Sequence, residues 1–121
     1  MTTRLLRTLF VFAMLAAAPV VASTDTAEAE INYLLDAIGS SGCTFIRNGK
    51  EYPGEKAKDH LAMKYRRGKK YAGTAELFIK RLASESSWTG KPYQVKCPDE
   101  PARNTGEWLT QRLQAHRTKP E

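Results

Sequence analysis

Positions 9–22 form an almost wholly apolar run behind the basic pair Arg4 and Arg7, and no charge falls between 8 and 24. The run closes on Pro19-Val20-Val21-Ala22, with small residues two apart at Val20 and Ala22. This is the three-part pattern of a secretory signal peptide, and it predicts cleavage after Ala22. A spanning helix needs about 20 apolar residues. This run is shorter and Pro19 interrupts it, so an uncleaved anchor is the weaker alternative. No lipobox precedes Cys43, and Arg4 and Arg7 do not form a twin-arginine motif.

The signal decides how much chain is left to fold. Residues 1–22 are set aside, 23–117 are expected to form one domain, and 118–121 a frayed tail. Arg4 and Arg7 leave with the signal, so a formal +6 on 121 residues becomes +4 on 99. A domain of that size buries roughly 60–65% of its unfolded surface and is marginally stable. Two independent cores and a large multi-substrate enzyme are excluded. With 41% hydrophobic and 26% charged residues, so is wholesale disorder.

The mature chain reads as alternating helices and short strands. Asp25-Thr26-Ala27-Glu28 has capping-box spacing, and Ile31, Leu34, Leu35 and Ile38 make one apolar helical stripe, with Gly39 as the expected C-cap. Residues 43–47 have strand composition, and Asn48-Gly49 is a strong hairpin signal leading to a return strand at 50–52. Positions 55–71 read as helix, with Ala57, Leu61 and Tyr65 inward and Gly68 a weak point. A second stripe follows at Ala75, Phe78, Ile79 and Leu82. After a polar loop at 84–90, Tyr93, Val95 and Cys97 alternate on one strand face. Residues 98–103 read as linker. Asn104 is the expected cap of a last helix with Trp108, Leu109 and Leu113 inward, and His116 lies in its last turn, where a cation suits the dipole. The fold class is α+β: a small antiparallel sheet of about three strands with three to four helices packed over it.

Two cysteines are too few for a disulfide scaffold or a four-thiolate metal site. In an exported chain, Cys43 and Cys97 at strand ends are best read as a structural disulfide. Free or redox-active thiols and metal ligation are the alternatives. Redox pairs usually stand as Cys-x-x-Cys, which this chain lacks.

Catalytic patterns are absent. There is no His-x-x-x-His pair, no Gly-x-Ser-x-Gly elbow and no phosphate-cradling glycine loop. His60 reads as a surface histidine. Glu51, Glu55 and Asp59 cluster in sequence, but a helix start beside lysines explains them. No metal site and no cofactor is expected. The unusual stretch is 64–71, where Lys64, Arg66, Arg67, Lys69 and Lys70 stand between Tyr65 and Tyr71. Such a patch can hold phosphate or carboxylate groups, and a solvated helix face is the plainer reading. In the 84–93 loop, Ser86, Ser87, Trp88 and Lys91 could meet a sugar or peptide; otherwise Trp88 is the loop's hydrophobic anchor.

Several segments together resemble the YfeK-like family of small exported proteins from Gram-negative bacteria. They are Gly42-Cys43-Thr44-Phe45-Ile46-Arg47-Asn48-Gly49, His60-Leu61-Ala62-Met63-Lys64, Thr74-Ala75-Glu76-Leu77-Phe78-Ile79 and Gly90-Lys91-Pro92-Tyr93-Gln94-Val95 before Cys97-Pro98. The resemblance implies a periplasmic protein and brings no activity. The expected function is a non-enzymatic binding or interaction module for an anionic envelope component or a periplasmic protein partner. It would use Arg47, the basic helix and the Ser86–Lys91 region. A small envelope enzyme or redox accessory factor is the alternative. Export argues against nucleic acid, and membrane contact is expected only through the signal before cleavage.

Overall fold

A computed structural model describes residues 24–119. The expected signal peptide therefore lies outside the described residues. Helix α1 (Thr24–Ser40) leads to strands β1 (Thr44–Arg47) and β2 (Lys50–Pro53), then helix α2 (Gly54–Gly68). A 3₁₀ turn at Lys69–Tyr71 follows. The short helix α3 (Ala75–Phe78) runs on into a π-helical turn at Ile79–Ala83. Strands β3 (Gln94–Lys96) and β4 (Arg103–Asn104) precede helix α4 (Thr105–Thr118).

The four strands form one antiparallel sheet in the order β2-β1-β3-β4. The Asn48-Gly49 tip closes β1 on β2 with φ of 49° and 79°, the double left-handed conformation of a two-residue hairpin. Register places Phe45 opposite both Tyr52 and Val95. Phe45 and Val95 are buried on the face that carries the helices. Helices α2 and α4 lie on the sheet, and α1 packs across α2, α3 and α4. All four stripe residues of α1 are buried, and Phe78, Leu109 and Leu113 complete the centre. Two edge-to-face pairs, Phe45 on Trp108 and Tyr65 on Phe78, tie sheet to α4 and α2 to α3.

Cys43 and Cys97 are disulfide-bonded. They stand directly beyond the Thr44–Lys96 pair, so the bond continues the β1–β3 ladder by one rung. A one-residue slip in a sheet with one buried face would turn every inward side chain outward. The covalent rung forbids that slip. At the far end of α4, Arg117 holds both carboxylate oxygens of Glu30 at 2.6 and 2.9 Å and also pairs with Glu76, tying α4 to α1 and α3. Beside it, His116 stacks on Tyr33 at 3.8 Å between ring centres.

Three expectations are corrected. The left-handed residue after α1 is Gly42, with φ 67°, and Gly39 is instead a helical residue packed beside the Lys58 stem. The expected helix at 55–71 ends as α-helix at Gly68, where the missing side chain leaves room for Leu82. The expected linker at 98–103 contains the start of β4. Asp99, at φ 61°, reverses the chain so that Arg103 can pair with Val95. Two residues are too short a strand to show a period.

At Gly54 the start of α2 lies close against the backbone of α1. A methyl group there would stand 2.5 Å from the Ile38 carbonyl oxygen, which is backbone and cannot move aside alone. Gly54→Ala is therefore expected to cost about 1–3 kcal/mol, the range for overpacking. Urea denaturation checks it; an unchanged midpoint would show that the two helices can part freely.

Candidate ligand cleft

The hairpin tip, the outer flank of α2 and the 84–92 loop enclose an open cleft of about 850 Å³. Arg47, at the end of β1, is one of its lining residues. Its Nη1 lies 2.6 Å from His60 Nδ1 on α2, and its Nη2 donates to the Tyr52 hydroxyl on β2 at 3.1 Å. Lys64, one turn along α2 from His60, donates to the Tyr93 hydroxyl at 3.2 Å and to the Glu85 carbonyl at 3.3 Å. Among the described residues, neither Arg47 nor Lys64 has a carboxylate within ion-pairing distance. Two half-buried cations thus share one concave surface without a contact ion pair, and Glu85 acts on Lys64 only from farther off.

The protons of the cluster follow from donor arithmetic. A guanidinium only donates, so His60 Nδ1 must accept. The neutral ring then carries its proton on Nε2, which lies 3.3 Å from the Tyr93 hydroxyl. Tyr93 Oη therefore accepts from both His60 and Lys64, which fills its two lone pairs. Its own O–H is left to donate into the cleft.

Charge states agree with this. Burial, then Arg47 and Lys64, holds the His60 pKa below its ordinary 6.5. Burial and then Arg47 lower the Lys64 ammonium, and burial raises the Tyr93 phenol. Because the unfolded chain protonates His60 first, the stability tied to the neutral ring is complete above its unfolded pKa and is lost as pH falls below it. Stability is expected to drop between about pH 7 and about pH 5, and His60→Gln, which can still accept from Arg47, is expected to flatten that slope. Urea midpoints at the two pH values decide; parallel slopes in both proteins would exclude His60 as the source.

The loop wall is built on Ser86. This buried hydroxyl accepts from Asn48 Nδ2 at 3.2 Å and from the Trp88 and Thr89 backbone N–H groups. Thr89 Oγ1 in turn donates to Asn48 Oδ1 at 2.6 Å. Gly90, at φ 71°, turns the chain back so that Ser86 N–H reaches the Lys91 carbonyl. The loop tip and the hairpin tip are thereby laced together. Trp88 is not the loop's anchor: it is 93% exposed, because Ser86 does the anchoring. Trp88 and half-exposed Tyr71 are the large hydrophobic side chains exposed among the described residues, and both rim this cleft.

The expected site residues divide. Arg47, Lys64, Arg67, Ser86, Ser87 and Trp88 line the cleft. Arg66, Lys69, Lys70 and Lys91 do not: Lys69 pairs with Glu28 at 3.0 Å, Lys70 lies over the Tyr71 ring, and Arg66 and Lys91 are exposed elsewhere. His60, Tyr52 and Tyr93 were not in that set, and His60 is a half-buried member of the cluster where a surface position was expected. A signal for it exists: His60, Lys64, Arg67 and Tyr71 recur at steps of four, three and four beside the inward stripe of Leu61 and Tyr65. Glu51, Glu55 and Asp59 are exposed and outside the cleft. Among the described residues no group of three or more His, Cys, Asp and Glu is placed to hold a metal ion.

Comparison with known proteins adds a family and no activity. A stretch of 67 residues is 45% identical to an uncharacterized protein, YfeK, of Salmonella typhimurium strain LT2, covering 54% of this chain and 56% of that protein. No solved structure matches. The model of a family of unknown function, DUF5329, matches residues 25–117, which take in every strand and nearly all of every helix described above. On that match the chain belongs to the DUF5329 family.

Proposed function

We propose that this protein is a non-enzymatic binding module of the periplasm, and that its cleft takes an anionic group carried by an envelope component or by a protein partner. The observation that carries this is the pairing of Arg47 and Lys64 around one concave surface with no carboxylate within ion-pairing distance of either among the described residues. A phosphate or carboxylate supplies the missing charge. It can accept from both cations and from the free O–H of Tyr93. The neutral state of His60 fits a positive field awaiting an anion. Export through the apolar run at 9–22 belongs to this proposal, since it sets the compartment where such a ligand is met.

The redox alternative needs a disulfide that an outside thiolate can reach and attack. The chain has two cysteines, and both are spent in a disulfide with Cys43 buried.

Titration with inorganic phosphate, followed at the His60 ring protons, tests the reading. Saturable shifts that weaken as salt rises are expected, because partly exposed charges are screened. Absence of any shift at low salt would overturn it.

A further inference from the structure

A second cavity, about 230 Å³, lies between α2 and the sheet. Arg47, Tyr52, His60 and Tyr93 line both it and the open cleft, so these four side chains form the partition. The cavity's other walls include Phe45, Ala57 and Leu61, the stem of Lys56, and Thr105 at the start of α4. Thr105 is 1% exposed, and its Oγ1 has no hydrogen-bond partner. A buried hydroxyl without a partner is uncommon and calls for an explanation.

The position of this hydroxyl is informative. Thr105 borders a chamber walled by Phe45, Ala57 and Leu61, and Arg47 in its partition has no carboxylate within ion-pairing distance. One molecule can answer both deficits if its anionic end lies in the cleft and its apolar part passes the partition. We infer that the small cavity is a subsite for a short apolar limb of the cleft's ligand, and that Thr105 Oγ1 meets an ester, ether or hydroxyl oxygen on that limb. The ligand class is then a small amphiphile: a phosphate or carboxylate joined to a short acyl or alkyl group. Size sets the limit. A dry cavity of about 150 Å³ holds one benzene ring, so this one takes a limb of several carbons and not a long lipid chain. The inference rests on the anion reading of the cleft and adds the second half of the ligand.

Hexyl phosphate and inorganic phosphate are the probes, titrated into the whole protein. The hexyl compound is expected to bind about tenfold tighter or more, since each buried methylene is worth about fourfold. It should also shift the methyl resonances of Leu61 and Thr105, which inorganic phosphate leaves still. Ala57→Leu, which fills the cavity, is expected to remove the advantage while phosphate still shifts His60. If that variant does not fold, Ala57→Val serves the same purpose with less added volume. Equal affinity of the two compounds, with phosphate still acting at His60, overturns the subsite alone. Failure of both compounds to act at His60 overturns the cleft reading and the subsite with it.

Discussion

Replacing Cys43 and Cys97 together by alanine is expected to lower the melting temperature by roughly 15–30 °C. The bond joins residues 54 apart in sequence. Closing a loop of that length removes about 4 kcal/mol worth of freedom from the unfolded chain in the chain-entropy model. Small domains have about 5–15 kcal/mol in total, and each 1 kcal/mol moves the midpoint of a domain this size by about 4–8 °C. The location adds to the effect. The bond is the rung beyond Thr44–Lys96, and the opposite end of the same strand pair positions Arg47 and Tyr93. Loosening one end frees the other to slip. Thermal unfolding followed by circular dichroism, with and without reductant, measures it. Coincident curves for the reduced and oxidised protein would show that the bond contributes nothing.

Arg47→Met is expected to weaken phosphate binding by about a hundredfold, at the lower part of the 2–5 kcal/mol range for losing one partner of a close charge pair. Methionine keeps the apolar stem and removes only the charge and its fork of donors. The same change takes away the second cause that depresses His60, so the His60 pKa should rise toward 6.5 while burial keeps it from reaching that value. Lys64→Met should weaken binding as well, and Tyr93 would then lose one of its two donors. Lys70→Met and Lys91→Met are the controls, because neither side chain lines the cleft. Calorimetry with the four variants separates a built site from a diffuse basic surface. Equal losses from Lys70→Met and Arg47→Met would mean that net charge alone attracts the ligand.

Much of the fold was legible before any tertiary information. The α1 stripe of Ile31, Leu34, Leu35 and Ile38 is buried as its spacing predicts. Asn48-Gly49 makes the hairpin, and Trp108, Leu109 and Leu113 face inward. Each of these depends on a few neighbouring residues, and local sterics or helical period decide them. Strand β4 escaped because its pairing with β3 is made by a chain reversal at Asp99, not by its own composition. The π turn at Ile79–Ala83 also gave no sign. It lets Ser84 Oγ reach the Ile79 carbonyl at 2.6 Å while Ile79, Leu82 and Ala83 all stay buried.

The candidate site was legible only in pieces. Seven positions along, from 64 to 70, five cations look equivalent, and periodicity says only which of them share a face of α2. It cannot say what covers that face. The hairpin and the 84–92 loop cover the flank of His60, Lys64 and Arg67, leaving Arg66, Lys69 and Lys70 outside. Thus the sequence by itself determined the helices, the hairpin and the two cysteines available for a staple. Only the tertiary structure decided that the apparently ordinary His60 stands between Arg47 and Tyr93, with a cleft before it and an apolar cavity behind. The reason is physical: helical and strand periods are set by near neighbours, whereas a concave site is made by strands and loops that meet across 13 to 41 residues of chain.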